Sequence, residues 1–247
     1  MKTLIYSSNE LSLRFRAVDF WRGSDHRILA SSSETSFDYL VFLDSRGFSG
    51  DWDLSLGGRL MRFFEAKRAS YLMIIRPLEL TTWGTLANFV TLNDISFCKL
   101  ITNMGFVDHT PKKHKICQNV ISQAEAFSEA HCCLLIKLEK FKTSRMEEVD
   151  LYNIEYTDPF INKLSQILRQ TETIILNTPD ISEKIILDRP RPDSFYLSVK
   201  KGNEFNSRLP HKSLINFGEF DSQLTYDAVH YTTKGNDLVF NSLEKYL

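Results

Sequence analysis

Glycine and cysteine are scarce in this chain. With ten glycines and seven prolines in 247 residues, no stretch reads as a linker, an internal repeat or a low-complexity tract. The four cysteines, Cys98, Cys117, Cys132 and Cys133, fall in no CxxC spacing. The adjacent pair Cys132–Cys133 sits in an apolar run and reads as two buried small hydrophobes, which suits a reducing compartment. No run approaches the ~20 apolar residues of a membrane span. The N-terminal MKTLIYSSNELSLRF is broken by Ser7, Ser8, Asn9 and Glu10 before it reaches the apolar length of a signal peptide. A cytoplasmic address is expected. Charge excess is missing as well: 30 basic against 31 acidic residues leave a net charge of −1, which gives no general attraction for nucleic acid or an anionic membrane. His26, His109, His114, His131 and His211 match no metal-ligand spacing. Neither common Gly-rich phosphate loop is present. No metal and no cofactor are expected.

What the chain does have is an ordinary globular composition, 43% hydrophobic with 18 phenylalanines, and a rhythm of apolar runs. Leu11, Leu13, Phe15 and Ala17 alternate with polar residues, so residues 1–18 suggest a β-hairpin, and His26–Ala30 a third short strand. From residue 38 the pattern changes. DYLVFLD (38–44) is apolar on both faces, as a central parallel strand must be, and LGGRLMRFFEAK follows with Leu56, Leu60, Phe63 and Phe64 on one helical face. YLMIIRP (71–77) reads as a second strand, residues 85–130 as largely helical, CCLLIKL (132–138) as a third strand, TIILNTP (173–179) as a fourth and SLINF (213–217) as a fifth. TDPFINKLSQILRQ reads as a helix with Asp158 as N-cap and Pro159 at its first position. The Pro- and charge-rich residues 188–212 read as an irregular excursion, and residues 233–247 as the last helix. Strands alternating with helices predict an α/β fold, a mostly parallel sheet flanked by helices. A small N-terminal β extension (1–37) would precede the α/β domain (38–247). In such sheets the site lies outside the carboxyl ends of the strands.

Two loops at those ends carry chemistry. One is Leu43-Asp44-Ser45-Arg46-Gly47-Phe48-Ser49-Gly50; the other is Asp227-Ala228-Val229-His230. Acyl transfer by a serine needs a hydroxyl at a tight strand-to-helix turn, an imidazole to take its proton, a carboxylate to hold the imidazole, and N–H donors for the oxyanion. Three residues of separation let Asp227 orient His230. The same residues also fit plainer roles, a turn cap for Asp227 and packing for His230. Tyr6-Ser7-Ser8-Asn9 offers Ser8 as a rival nucleophile. Arg189 and Arg191, spaced by prolines, could fork onto a substrate carboxylate or phosphate or form rim salt bridges.

On these residues the chain resembles the SGNH (GDSL-type) hydrolases. Their first block is Gly-Asp-Ser at the end of the first strand with a glycine downstream; FLDSRGFSG supplies Asp44, Ser45 and Gly50. Their last block is Asp-x-x-His, then Thr or Ser, a glycine and a terminal helix, and DAVHYTTKGNDLVFNSLEKYL is similar to it along its whole length. The resemblance implies an SGNH-like, three-layer α/β fold and a serine-dependent acyl ester hydrolase or acyltransferase, with an acylated sugar among the substrates. It implies Ser45 as nucleophile, His230 as general base and Asp227 as its orienting carboxylate. The oxyanion donors would be the N–H groups of Ser45 and Gly84, with Asn177 as a substitute donor. Leu43 replaces the first glycine of the first block. The third block, Gly-x-Asn-Asp after the third strand, is missing where the chain reads LEKFKTS (138–144), and the Asn-Asp of TLND (91–94) lies in a helical-looking segment. These departures keep open a catalytically impaired binding or assembly protein of the same fold. A glycan-modifying transferase of another α/β type, with Asp227 or Glu139 as base, is a third reading. Oligomeric state is not legible.

Overall fold

The computed structural model describes residues 4–5, 27–32, 35–75, 81–125, 134–142, 148–181, 191 and 193–247. Its centre is strand β3 (Ser36–Leu43), flanked in parallel by β4 (Tyr71–Ile75) and β5 (Ser96–Thr102). Successive side chains of a strand point to opposite faces. Leu40 and Phe42 of β3 and Leu72 and Ile74 of β4 therefore enter one apolar cluster. Tyr39, Val41 and Leu43, with Tyr71, Met73 and Ile75, enter the other. Burying each such side chain stabilises the fold by about 1.5–3 kcal/mol before ordering costs.

Among the described residues the sheet has seven strands. Beyond β5, β8 (Glu172–Leu176) and β9 (Ser213–Ile215) continue it in parallel. On the other side β2 (Arg27–Ala30) pairs antiparallel with β4, and β1 (Leu4–Ile5) pairs antiparallel with β2. The five parallel strands thus run 2-1-3-4-5, the flavodoxin-like doubly wound order, extended by two N-terminal antiparallel strands. Helices α1 (Leu56–Lys67) and α6 (Thr233–Glu244) cover one face through Leu60, Phe64, Val239 and Leu243. Helices α2 (Trp83–Asn93), α3 (His114–Glu125) and α4 (Asp158–Arg169) cover the other through Leu86, Phe89, Cys117, Phe160 and Leu164. Helix α5 (Asp193–Arg208) contributes Phe195 and Val199 to one cluster and Phe205 to the other.

Several elements differ from the sequence reading. The stretch 85–130 is not mainly helix, because β5 runs through it. Its first half, Ser96 to Lys99, alternates exposed and half-buried residues, and only Leu100, Ile101 and Thr102 are fully buried. A search for continuous apolar runs passes over such a strand. CCLLIKL does contribute a strand, β6 (Leu134–Lys142), but not to the main sheet. Among the described residues it pairs only with β7 (Glu148–Tyr156), from Leu134↔Tyr156 to Lys142↔Glu148, as an antiparallel ribbon. The supposed excursion 188–212 contains α5. Gly202 lies within that helix because a Cβ there would stand 2.8 Å from the Gly105 carbonyl oxygen, so the glycine lets helix and loop backbone touch. In α4 the cap shifts by one: Thr157 is N-cap and Asp158 opens the helix. Residues 6–26, which include the expected hairpin's second strand and Ser8, lie outside the described residues. So do Cys132 and Cys133.

Candidate active site

The chain leaves β3, returns through α1 to β4 on one side, and crosses through α2 to β5 on the other. The carboxyl ends of β3 and β5 mark the topological switch point. Ser45 starts a 3₁₀ turn (Ser45–Phe48) there, capped by Asp44, whose Oδ1 accepts from the Arg46 N–H at 2.9 Å. The other half comes from the loop before α6. His230 Nε2 lies 3.1 Å from Ser45 Oγ, and His230 Nδ1 lies 2.8 Å from Asp227 Oδ2. The structure thus brings Ser45, His230 and Asp227 into one hydrogen-bonded chain across 185 residues of sequence.

Local folding explains the Asp-x-x-His spacing. Asp227 Oδ1 accepts the backbone N–H groups of Val229 at 2.9 Å and His230 at 2.7 Å, so the carboxylate folds its own loop. That turn needs Ala228 at φ 67°, a left-handed conformation costly for a residue with a Cβ. Both carboxylate oxygens are occupied: Arg191 Nη2 donates to Oδ2 at 2.9 Å, and Arg191 Nε donates to the Asp227 carbonyl at 2.7 Å. Burial alone would raise the Asp227 carboxyl. The hydrogen bonds from the His230 ring and from the backbone of His230 and Val229 outweigh it and hold the group well below the usual carboxylate range. It stays ionised at any ordinary pH. Downstream, Thr232 caps α6 by accepting from the Gly235 N–H at 3.2 Å. A Cβ at Gly235 would stand 2.0 Å from the Leu224 carbonyl oxygen, so helix and loop close only over a glycine. Tyr226, 43% exposed, stacks on the His230 ring with centroids 5.8 Å apart and forms an aromatic rim.

Beneath the serine lies a polar network that sequence reading missed. Arg46 is fully buried and pairs with Asp44 at 2.7 Å. It also donates to Thr178 Oγ1 after β8 at 2.5 Å, and to the Asn103 carbonyl after β5 at 2.6 Å. It hydrogen-bonds Tyr231, the neighbour of His230. Burial alone would lower this guanidinium, yet Asp44 and Tyr231 hold it above its ordinary value; burial pushes the Tyr231 phenol up to about 12 despite the opposing pull of Arg46. Asn103 closes the network: its Oδ1 accepts from the Asp44 N–H and its Nδ2 donates to Asp44 Oδ1, both at 2.9 Å. One buried cation therefore ties together the ends of three strands and the histidine loop. The signal was available in Thr102-Asn103, an asparagine directly after a parallel strand, but only once β5 is recognised.

The sequence matches no family model and no curated protein. Solved structures are similar at the level of backbone path. A carbohydrate acetylesterase from Sinorhizobium meliloti overlaps 86% of this chain and 98% of its own at 11% identity and TM-score 0.46. A Streptococcus pneumonia protein provisionally described as a platelet activating factor overlaps 85% of this chain and 84% of its own, at 11% identity and TM-score 0.46. A gut microbial diltiazem-metabolizing enzyme overlaps 85% of this chain but 46% of its own, at 10% identity and TM-score 0.44.

The remaining sequence candidates make other contacts. Gly84 sits in the first turn of α2, where its backbone hydrogen-bonds the buried Tyr156 phenol. Asn177 donates to Asn216 Oδ1 at 2.7 Å and accepts from Asn206 at 3.0 Å, so its amide serves the loop after β8. Arg191 lies on Asp227, and Arg189 is outside the described residues. The Ser45 N–H makes no hydrogen bond among the described residues and stands beside its own hydroxyl. Among the described residues no group of His, Cys, Asp and Glu could hold a metal, and no helix is long and apolar enough to cross a membrane.

Proposed function

We propose that the protein is a serine-dependent acyl ester hydrolase of the SGNH type. The observation that carries the reading is the chain Ser45 Oγ to His230 Nε2 at 3.1 Å and His230 Nδ1 to Asp227 Oδ2 at 2.8 Å. His230 takes the Ser45 proton as the oxygen attacks the ester carbonyl, and Asp227 stabilises the imidazolium that forms. The carbonyl oxygen, now carrying the negative charge, turns toward the Ser45 N–H, which has no competing partner among the described residues. Collapse of the tetrahedral species expels the alcohol, protonated by His230, and leaves an acyl-serine. Water, deprotonated by the same imidazole, then releases the acid; an acceptor hydroxyl in its place gives acyl transfer. Asn103 and the Asp44–Arg46 pair fit a supporting role, with Asn103 as the counterpart of the asparagine that SGNH enzymes carry after their third strand.

A small acyl group on a sugar is the substrate class we favour. The exposed Tyr226 face gives the mouth a flat, amphipathic surface against which a sugar ring packs. The test is hydrolysis of 4-nitrophenyl acetate and of peracetylated monosaccharides by wild type, Ser45→Ala and His230→Ala. Wild type should turn over both, and each variant should lose at least about a thousandfold in kcat. Equal rates in wild type and Ser45→Ala would reject the reading.

A further inference from the structure

Asp227 does more than face His230. Its Oδ2 is shared by two donors, the His230 ring and Arg191 Nη2, while Arg191 Nε takes the carbonyl of the same residue. The guanidinium thus grips both ends of Asp227, immediately before the left-handed Ala228. Arg191 is itself fixed: its Cζ lies 5.4 Å from the centre of the Phe195 ring, in the first turn of α5. A side chain whose role is to meet substrate is poorly served by this arrangement. One that holds a strained loop in register is well served.

Resting on the hydrolase reading above, we infer that Arg191 is a positioning residue that turns the triad into a four-membered relay, Arg191–Asp227–His230–Ser45. It has two effects. The two-point grip fixes where the Asp227 carboxylate sits, and so the angle at which Nε2 meets Ser45. The charged guanidinium also shares Oδ2 with the His230 ring, so the oxygen that orients the imidazole is itself held in place. Other titratable or charged groups about this loop, among the described residues, are Tyr226, stacked on the ring, Asp221 and Lys234 on the Gln223 turn, and the Asp44–Arg46 pair with its Tyr231 contact. None of them touches Asp227 Oδ2 through a hydrogen bond among the described residues.

The experiment measures kcat and KM on a neutral ester, 4-nitrophenyl acetate, for wild type, Arg191→Gln and Arg191→Lys. A fluorophosphonate adduct on wild-type Ser45 is required first. Arg191→Gln should lose on the order of ten- to a hundredfold in kcat, as expected when a catalytic group is misplaced by an ångström or less. KM on this neutral ester should change little, the split expected of a group that positions the chemistry without binding substrate. Arg191→Lys should recover kcat only in part, because an ammonium supplies the charge without the planar two-point grip. If Arg191→Gln labels normally and keeps kcat, the relay is wrong and the hydrolase reading stands. A loss confined to KM, with kcat kept, would make Arg191 a substrate-binding residue and overturn the relay as well. A wild type that forms no adduct would remove both proposals.

Discussion

Replacing Asp44 by asparagine should be among the most damaging isosteric changes in this protein. Asp44 and Arg46 pair at 2.7 Å with side chains 3% and 1% exposed. Asp44 also accepts from Arg46 Nε at 3.0 Å and from the Asn103 amide at 2.9 Å. Asparagine keeps the volume and removes the charge, stranding a guanidinium that has no route to water. Breaking a buried pair from one side costs about 3–5 kcal/mol. That is a large part of the ~5–15 kcal/mol that holds a typical domain. At about 2–4 °C per kcal/mol for a chain of this size, the melting temperature should fall by about 6–20 °C. The assay is urea unfolding of Asp44→Asn, Arg46→Met and the double variant. The double should be less destabilised than the two single losses added together, with a coupling of about 0.5–3 kcal/mol, because it buries no unpaired charge. A loss below ~1 kcal/mol in Asp44→Asn, or strict additivity, would refute the reasoning.

Asp227→Asn should lower kcat/KM by on the order of 10⁴-fold with little change in KM, since an amide holds the wrong imidazole tautomer. Because the folded Asp227 carboxyl is depressed, its stabilising contribution is complete above the ordinary value near 4 and fades as pH falls through the folded value. The stability gap between wild type and Asp227→Asn should therefore be widest in urea titrations at neutral pH and shrink below pH ~4. A gap that grows on acidification would contradict the sign. Gly235→Ala should cost about 1–3 kcal/mol by thermal melt, since its Cβ would stand 2.0 Å from the Leu224 carbonyl oxygen. Asn103→Ala leaves the Asp44 N–H without its acceptor and should lose about 1–3 kcal/mol in the same melt. It should also slow ester turnover by shifting Ser45.

The legible parts of the fold were those where local pattern and tertiary position agree. β3 and β4 are buried on both faces and read as continuous apolar runs. α1 carries its buried stripe at helical spacing. β5 was hidden because its first half alternates in exposure and includes Lys99, whose ammonium reaches the C-terminal Leu247 oxygen at 2.9 Å. β6 shows the opposite problem. An apolar run fixes the strand but not its partner, and only the register with β7 reveals a separate ribbon. At the site, the Asp-x-x-His spacing was readable because the carboxylate folds its own loop through the Val229 and His230 N–H groups. Arg46 was not, since an arginine after Ser45 looks like an exposed loop residue until three strand ends converge on it. Arg191 was noticed, but its partner Asp227 lies 36 residues away, a distance no spacing rule spans.

The central claim is that Ser45 is a nucleophile activated by His230. Incubation with a fluorophosphonate, followed by intact mass and peptide mapping, tests it most directly. One adduct is expected on the peptide containing Ser45, absent in Ser45→Ala and strongly slowed in His230→Ala. No adduct on folded wild type, or an adduct on another serine that survives Ser45→Ala, would contradict it.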